Sequence, residues 1–394
     1  MKAKLLGAAL CGAAGWALAG CATVPVPEAP RQTLAFVGTQ GSGPEQGVVG
    51  VRLDPQTGAL SSLGVVGAME RPTWVLADPA HHRLFAVSET GNDGVTHGTV
   101  TGFVYDPATG ALRPKGRADS GGGGPTHLAL SADARTLFVA NYGTGHVSAI
   151  SVSALLAAGD GKPAAQPASV DTHTGSGPHK RQKGPHAHGV TVDPSGRWVL
   201  SPDLGTDKVF VYRFDAAKGT LSPAPEPFVT LPPASGPRHI VFAPDGRHAF
   251  LMTEMGGAIT SFAWDAGRGR LTELASIQLD PADFAGTRSG SEIAVSRDGR
   301  FLYAGNRVAN RIQIYAVRQD GSLSPVDAVA SGGQVPWGFS LSGDGKWLVV
   351  ANQGGAQAGG NLAVFAVDRV SGRLTATGAG LELAKPTSIS FTDR

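Results

Sequence analysis

Five stretches of the chain are variations on one pattern: HLALSADARTLFVANY, HGVTVDPSGRWVLSPDL, HIVFAPDGRHAFLMTE, IAVSRDGRFLYAGNR and GFSLSGDGKWLVVANQ. Each is an apolar strand, a tight polar turn closed by Arg or Lys, and a second apolar strand. WVLADPAHHRLFAVSE is a looser copy with one more turn residue. The Asp-Gly and Ser-Gly pairs supply the left-handed backbone that short hairpins need. A second signature follows each unit, in DPQTGAL, DPATGAL, AAKGTL, AGRGRL, RQDGSL and RVSGRL. About four strands thus recur over about 50 residues, the size of a propeller blade.

Six copies leave two fragments that complement each other. TLAFVGTQ near the amino terminus reads as a second strand without its first, and KPTSISF near the carboxyl terminus as a first strand without its second. Joined, they complete a seventh blade and close the ring with no exposed inner edge. An open solenoid would have no reason to divide one unit between the chain ends. The predicted fold is all-β, a seven-bladed β-propeller closed by pairing of its terminal strands. The 56 Gly, 27 Pro and 16% charged residues fit a turn-rich β fold.

The amino terminus reads differently. MKAKLLGAALCGAAGWALAGC has Lys2 and Lys4, an apolar stretch and small residues before Cys21. This predicts an export signal over residues 1–20, too short to span a bilayer as a stable helix. LAGC resembles the bacterial lipobox, so lipidation of Cys21 is expected, with residues 21–32 as a proline-rich tether and 33–394 as the propeller. The protein is then expected to be exported and lipid-anchored in a bacterial cell envelope, facing the periplasm, at the outer membrane. Membrane contact would pass only through that anchor. Cys11 leaves with the signal and Cys21 takes the lipid, so the folded body has no thiol for a disulfide, a nucleophile or a zinc site. A net charge of +2 without a basic run offers no field for a nucleic acid. A monomer is expected.

The predicted inner strands begin after Arg71-Pro72, Gly124-Pro125, Gly184-Pro185, Gly236-Pro237, Val335-Pro336 and Lys385-Pro386. In an antiparallel blade the start of the first strand and the end of the second share a face. One channel mouth should therefore collect Thr126, His127, His186, His188, Arg238, His239 and Glu292 from strand starts. Strand ends would add Glu89, Asn141, Tyr142, Asp203, Glu254, Asn306, Arg307, Asn352 and Gln353. Polar groups can simply solvate such a mouth. Convergence of Arg238, Arg307 and Glu254 with histidines points further, to an anionic ligand such as phosphate or carboxylate. One unit replaces its turn with a Gly/Ala/Pro segment and the loop DTHTGSGPHKRQKGPHAH, which brings His173, His179, Lys180 and Arg181. Two-residue spacing puts His186 and His188 on one strand face, with Asp203 or Glu254 as conceivable co-ligands. That pattern is too weak to assign a metal, and no cofactor is expected. Which of the two histidines matches Arg238 is left open by two extra residues in that unit. No nucleophile elbow and no Gly-rich phosphate loop is present.

RQKGPHAHGV with DLGTDKVFVY, GPRHIVF followed by MTE, FLYAGNR and VANYGTGHVS together resemble the seven-bladed lactonase family. That family contains propeller-type 6-phosphogluconolactonases and fungal carboxy-muconate lactonizing enzymes, and the likeness runs over roughly residues 33 to 391. The resemblance implies a site of one histidine, two arginines and a glutamate. These correspond to His186 or His188, Arg238, Arg307 and Glu254, with Arg181, His127, His239, Asn141, Tyr142, Asp203 and Asn306 as substrate contacts. It implies hydrolysis of a sugar-acid lactone by a water that histidine activates, with Glu254 orienting it or serving as the alternative base. A cyclase-like lyase and a non-catalytic binding propeller of the envelope are the other readings. Sugar-phosphate lactones belong to the cytoplasm, so an exported member would act on another lactone.

Overall fold

Along the second strand of each blade, apolar residues occur at both parities, and each parity packs against a different neighbour. In Thr33–Thr39, Phe36 joins Val75, Leu84 and Phe103 on one side. Ala35 and Val37 join Val349, Val364 and Trp347 on the other. A strand buried on both faces has no polar side to alternate, which is why these segments read as continuous apolar runs. Seven such clusters occur, one between each pair of neighbouring blades.

The computed structural model describes Met1 and residues 32–393, apart from 42–45, 160, 162–163, 282 and 356–358. The predicted signal, Cys21 and the proline tether lie outside the described residues. The strands form seven four-stranded antiparallel sheets, numbered here as blades in chain order. Blade 1 combines Pro386–Phe391 with Thr33–Thr39, Gly47–Leu53 and Leu60–Ala68, pairing Ala35 with Phe391 and Val37 with Ile389. The ring closes through the chain termini, as the two fragments predict.

Local chemistry shapes each hairpin. The turn between the first two strands of blade 5 has Gly246 at φ 66°, and the Asp245 carboxylate accepts the backbone N–H groups of Arg247 and His248. Where the repeat offers no glycine, Ala134 takes the same conformation at φ 54°. The second signature has a different task. Trp198 of blade 4 lies against Gly269 in the outer turn of blade 5, where a Cβ would strike the indole, and donates its Nε1–H to Ala266 O at 2.9 Å. Trp347 of blade 7 meets Gly58 of blade 1 in the same way and bonds Pro55 O at 3.2 Å. These contacts latch consecutive blades at their rims.

One blade departs from the pattern. Blade 3 reaches its outermost strand, Ser169–Thr172, through the helix Val152–Ala157, capped by Ser151 Oγ accepting from Ala154 N. The chain then crosses a long loop before the innermost strand of blade 4, which is only Thr191–Val192.

Candidate functional site

One hydrogen bond repeats around the ring and builds the mouth. The residue after each second strand donates its backbone N–H to the carbonyl near the start of the innermost strand. The seven pairs are Gln40 to Lys385, Glu89 to Arg71, Tyr142 to Gly124, Leu204 to His186, Glu254 to Gly236, Arg307 to Ser289 and Gln353 to Val335, at 2.7 to 3.1 Å. Those seven donors therefore form one polar-edged circle. Gly236 takes φ 62° at this start, whereas β-branched Val335 accepts φ 57° against its steric preference.

Glu254 is the hub of the circle. Its Oε1 lies 2.6 Å from Arg181 Nη1, and its Oε2 lies 2.6 Å from Arg307 Nη2 and 3.2 Å from Arg238 Nε. His188 Nε2 stands 3.6 Å from the same Oε2. Burial alone would raise this carboxyl, but Arg307, His188, Arg238 and Arg181 outweigh it and hold it well below the usual range. Arg238 is buried, and burial with the facing Arg307 lowers it to about 10, so it stays charged at neutral pH. Its Nη1 donates to Ser291 O at 2.7 Å and lies 3.2 Å from His239 Nδ1. Burial opposes the charge on Arg181 too, yet Glu254 and Tyr142 raise it overall. Three guanidiniums thus share one carboxylate, leaving surplus positive charge at the mouth. Arg307 also faces Trp337 at 4.6 Å, and its Nε is buried without a protein partner.

Strand register resolves the histidine ambiguity. Thr191 pairs with Leu200 in blade 4 as Val241 pairs with Phe250 in blade 5, so His188 occupies the slot of Arg238 and Gly189 that of His239. Gly189 has to be small: a Cβ there would lie 2.7 Å from Arg238 O and 3.3 Å from His239 Cδ2. His186 and His188 both lie before the two-residue strand Thr191–Val192 rather than on it, which corrects the expectation of two histidines on one strand face. Both rings nonetheless rest on Tyr142, stacked at 4.5 Å for His186 and edge-on at 5.4 Å for His188. His186 Nδ1 lies 2.7 Å from Tyr142 O, a carbonyl that can only accept, so Nδ1 carries the proton and Nε2 presents a lone pair. Beneath the arginines, His127, His188 and His239 form an imidazole cluster with centroids 4.6 and 5.2 Å apart. Burial first, then neighbouring cationic groups, holds all three well below their ordinary range, so they are neutral near pH 7.

The other expected contacts divide. Arg181 reaches the hub from the irregular loop and donates through Nη2 to Tyr142 Oη at 3.0 Å. Asn141, Asp203 and Asn306 are buried in the wall, not presented to the mouth. Asn141 Nδ2 donates to Ser120 O, and Asn306 Nδ2 to Asp280 Oδ1. Asp203 accepts from the backbone of His186, Gly205 and Thr206 and from His173 Nδ1. At these strand ends the side chain turns into the wall, and the mouth is reached by the next residue in two of the three blades, Tyr142 and Arg307, while Leu204 is buried. Among the described residues, no group of three or more His, Cys, Asp or Glu is arranged to hold a metal ion. Sequence reasoning did not single out Trp337, and met Trp74 only as the first residue of an apolar strand copy. The clue for Trp337 is its place after Val335-Pro336, the slot that Arg238 fills after Gly236-Pro237.

The profile of the family described as "Lactonase, 7-bladed beta-propeller" matches residues 34–391. The chain belongs to this lactonase family. A curated relative, the 6-phosphogluconolactonase of Bacillus subtilis, is 30% identical over 359 residues, 91% of this chain and 98% of the relative. Among solved structures, the periplasmic gluconolactonase of Pseudomonas aeruginosa is 34% identical with a TM-score of 0.82, covering 92% of this chain and 99% of that one. A protein of Lactococcus lactis described only as uncharacterized is 31% identical over 334 residues, 84% of this chain and 91% of that one.

Proposed function

We propose that this lactonase-family protein hydrolyses the lactone of a sugar acid at the arginine-lined mouth, with His186 as general base. The observation that carries the reading is the pairing of an accessible imidazole, its tautomer fixed by a backbone carbonyl, with surplus guanidinium charge around Glu254. The lactonase names of its relatives support the substrate class.

In the proposed step, a water attacks the lactone carbonyl carbon and passes its proton to His186 Nε2. The carbonyl oxygen becomes an oxyanion facing donors of Arg181 and Arg307, whose unpartnered Nε points to such a role. Collapse of the tetrahedral intermediate breaks the ring C–O bond, and the imidazolium returns the proton to the departing alkoxide. The product is a hydroxy acid whose carboxyl group then ionises, releasing its proton to solvent. A neutral aldonolactone gains negative charge only in the transition state and product, so the surplus positive charge favours those over the bound substrate. Glu254 is a poor base here because its ion pairs stabilise the ionised form, so its role is to align the arginines.

An exported, lipid-anchored protein would meet unphosphorylated lactones, and we include that location in the proposal. His186→Ala should lower kcat by about 10²- to 10⁴-fold while leaving sugar-acid binding intact. Unchanged kcat would remove His186 from the mechanism. Saturable sugar-acid binding by the unmutated protein without turnover would make it a binding propeller instead.

A further inference from the structure

The arginine mouth accounts for one end of the central channel and leaves the rest unassigned. Below the imidazole cluster a cavity of about 830 Å³ runs from Trp74, His127, His239 and Glu292 to the hairpin turns 296–298 and 342–345 at the opposite face. Arg181, Arg238, Glu254 and Arg307 do not line it. Its walls are mostly apolar, among them Leu76, Leu128, Val192, Val241, Phe242 and Leu341, with Thr191, Ser340 and Ser390 between them. The innermost strands that frame it, such as Pro237–Phe242, are six residues long, which at about 3.3 Å per residue gives a bore roughly 20 Å deep.

The closed end is polar and only partly satisfied within the protein. His239, 3% exposed, engages Glu292 Oε1 through Nδ1 at 3.0 Å, while its Nε2 is buried without a protein partner. The Nε1–H of Trp74, whose ring lies 5.3 Å from that of His239, is likewise buried without one. Arg238 Nη1 also lies 3.2 Å from this Nδ1 but donates to Ser291 O, so the Nδ1 proton goes to the Glu292 carboxylate and Nε2 is an acceptor, while Trp74 is a donor only. One hydroxyl group matches both, giving its proton to His239 and accepting from Trp74. Of the charged residues lining the cavity, Arg297 and Arg369 belong to the far end with Asp298 and Asp344, and Glu292 to this end, where an anion would meet its carboxylate.

We propose that the channel is a second binding site, opening away from the arginine mouth, for a neutral ligand with a hydroxyl head and a slender apolar body. This site does not depend on the lactonase reading. It differs from the mouth in sign and solvation: guanidinium and water there, an imidazole–carboxylate pair and hydrocarbon here. Its volume lies within the range of small-molecule pockets, about 300 to 1,000 Å³.

Calorimetric titration of the folded protein with 1-octanol, octanoate and octyl methyl ether tests this. Octanol should bind saturably with one site per chain, and the acid and the ether at least about tenfold more weakly, reflecting the lost hydroxyl and the added charge. Ala129→Trp, which adds bulk to the cavity wall, should abolish octanol binding. Ala294→Phe on another wall serves if that variant does not fold. No saturable octanol heat, heat that survives either filled channel, or equal affinity for octanoate or the ether would overturn the proposal.

Discussion

Blades 4 and 5 sit side by side and supply most of the mouth, but they do so by different means. Blade 5 begins with a full six-residue strand, Pro237–Phe242, and delivers Arg238 and His239 as buried, mutually braced groups. Blade 4 keeps only Thr191–Val192 of that strand, and the residues released from pairing carry Arg181, His186 and His188 to the same place. Regular strand fixes the frame. Irregular backbone presents the groups that meet solvent and, on our reading, substrate. The exchange is visible at one position: blade 4 has Gly189 where blade 5 has His239, and the smaller residue leaves room for the larger ring.

The comparison breaks most severely at the shared carboxylate. Glu254→Gln leaves the buried Arg238 and Arg307 facing each other without an anion, and should cost about 3–5 kcal/mol of stability, read from the urea midpoint. A loss below about 1 kcal/mol would mean that the two blades are not joined through this ion cluster.

Acid should weaken the same frame. His127, His188 and His239 have folded-state values well below their ordinary 6.5, so as pH falls below about 6.5 the unfolded chain takes up protons first and stability declines. Glu254, held below its ordinary 4.5, adds stability that is lost only as pH falls further, through its lowered value. The urea midpoint should fall steadily from pH 7 to pH 4, and a flat profile would contradict buried neutral imidazoles.

Gly189→Ala probes the exchange itself. The added methyl would overlap Arg238 O, and overpacking of this kind costs about 1–3 kcal/mol, measurable in the same melts. Arg181→Ala is the mildest. Because Arg181 is partly exposed, with 41% of its side chain accessible, and comes from the loop, its loss should raise KM about tenfold and leave the melting temperature unchanged. A destabilised Arg181→Ala would place that loop in the frame after all.

Legibility in the sequence follows the same division. The blade count, the split blade and the convergence of Arg238, Glu254 and Arg307 were readable because hairpin turns and X-Pro pairs recur in register, which fixes each strand end in space. Asn141, Asp203 and Asn306 misled because strand-end position says nothing about rotamer, and these side chains turn inward to buried partners on neighbouring segments, Ser120 O, the His186 N–H and Asp280 Oδ1. The order of His186 and His188 needed coordinates, since two extra residues in an unpaired segment shift the register without a sequence marker. Trp74 and Trp337 were hidden for another reason: an aromatic residue looks alike in a core and at a binding surface.

Opening of glucono-δ-lactone and its 6-phosphate, followed by acid release against the spontaneous rate, tests the central claim most directly. The account predicts saturable acceleration by the purified protein, lost in His186→Ala and retained in Ala129→Trp. Traces that never exceed spontaneous opening for either lactone would contradict it.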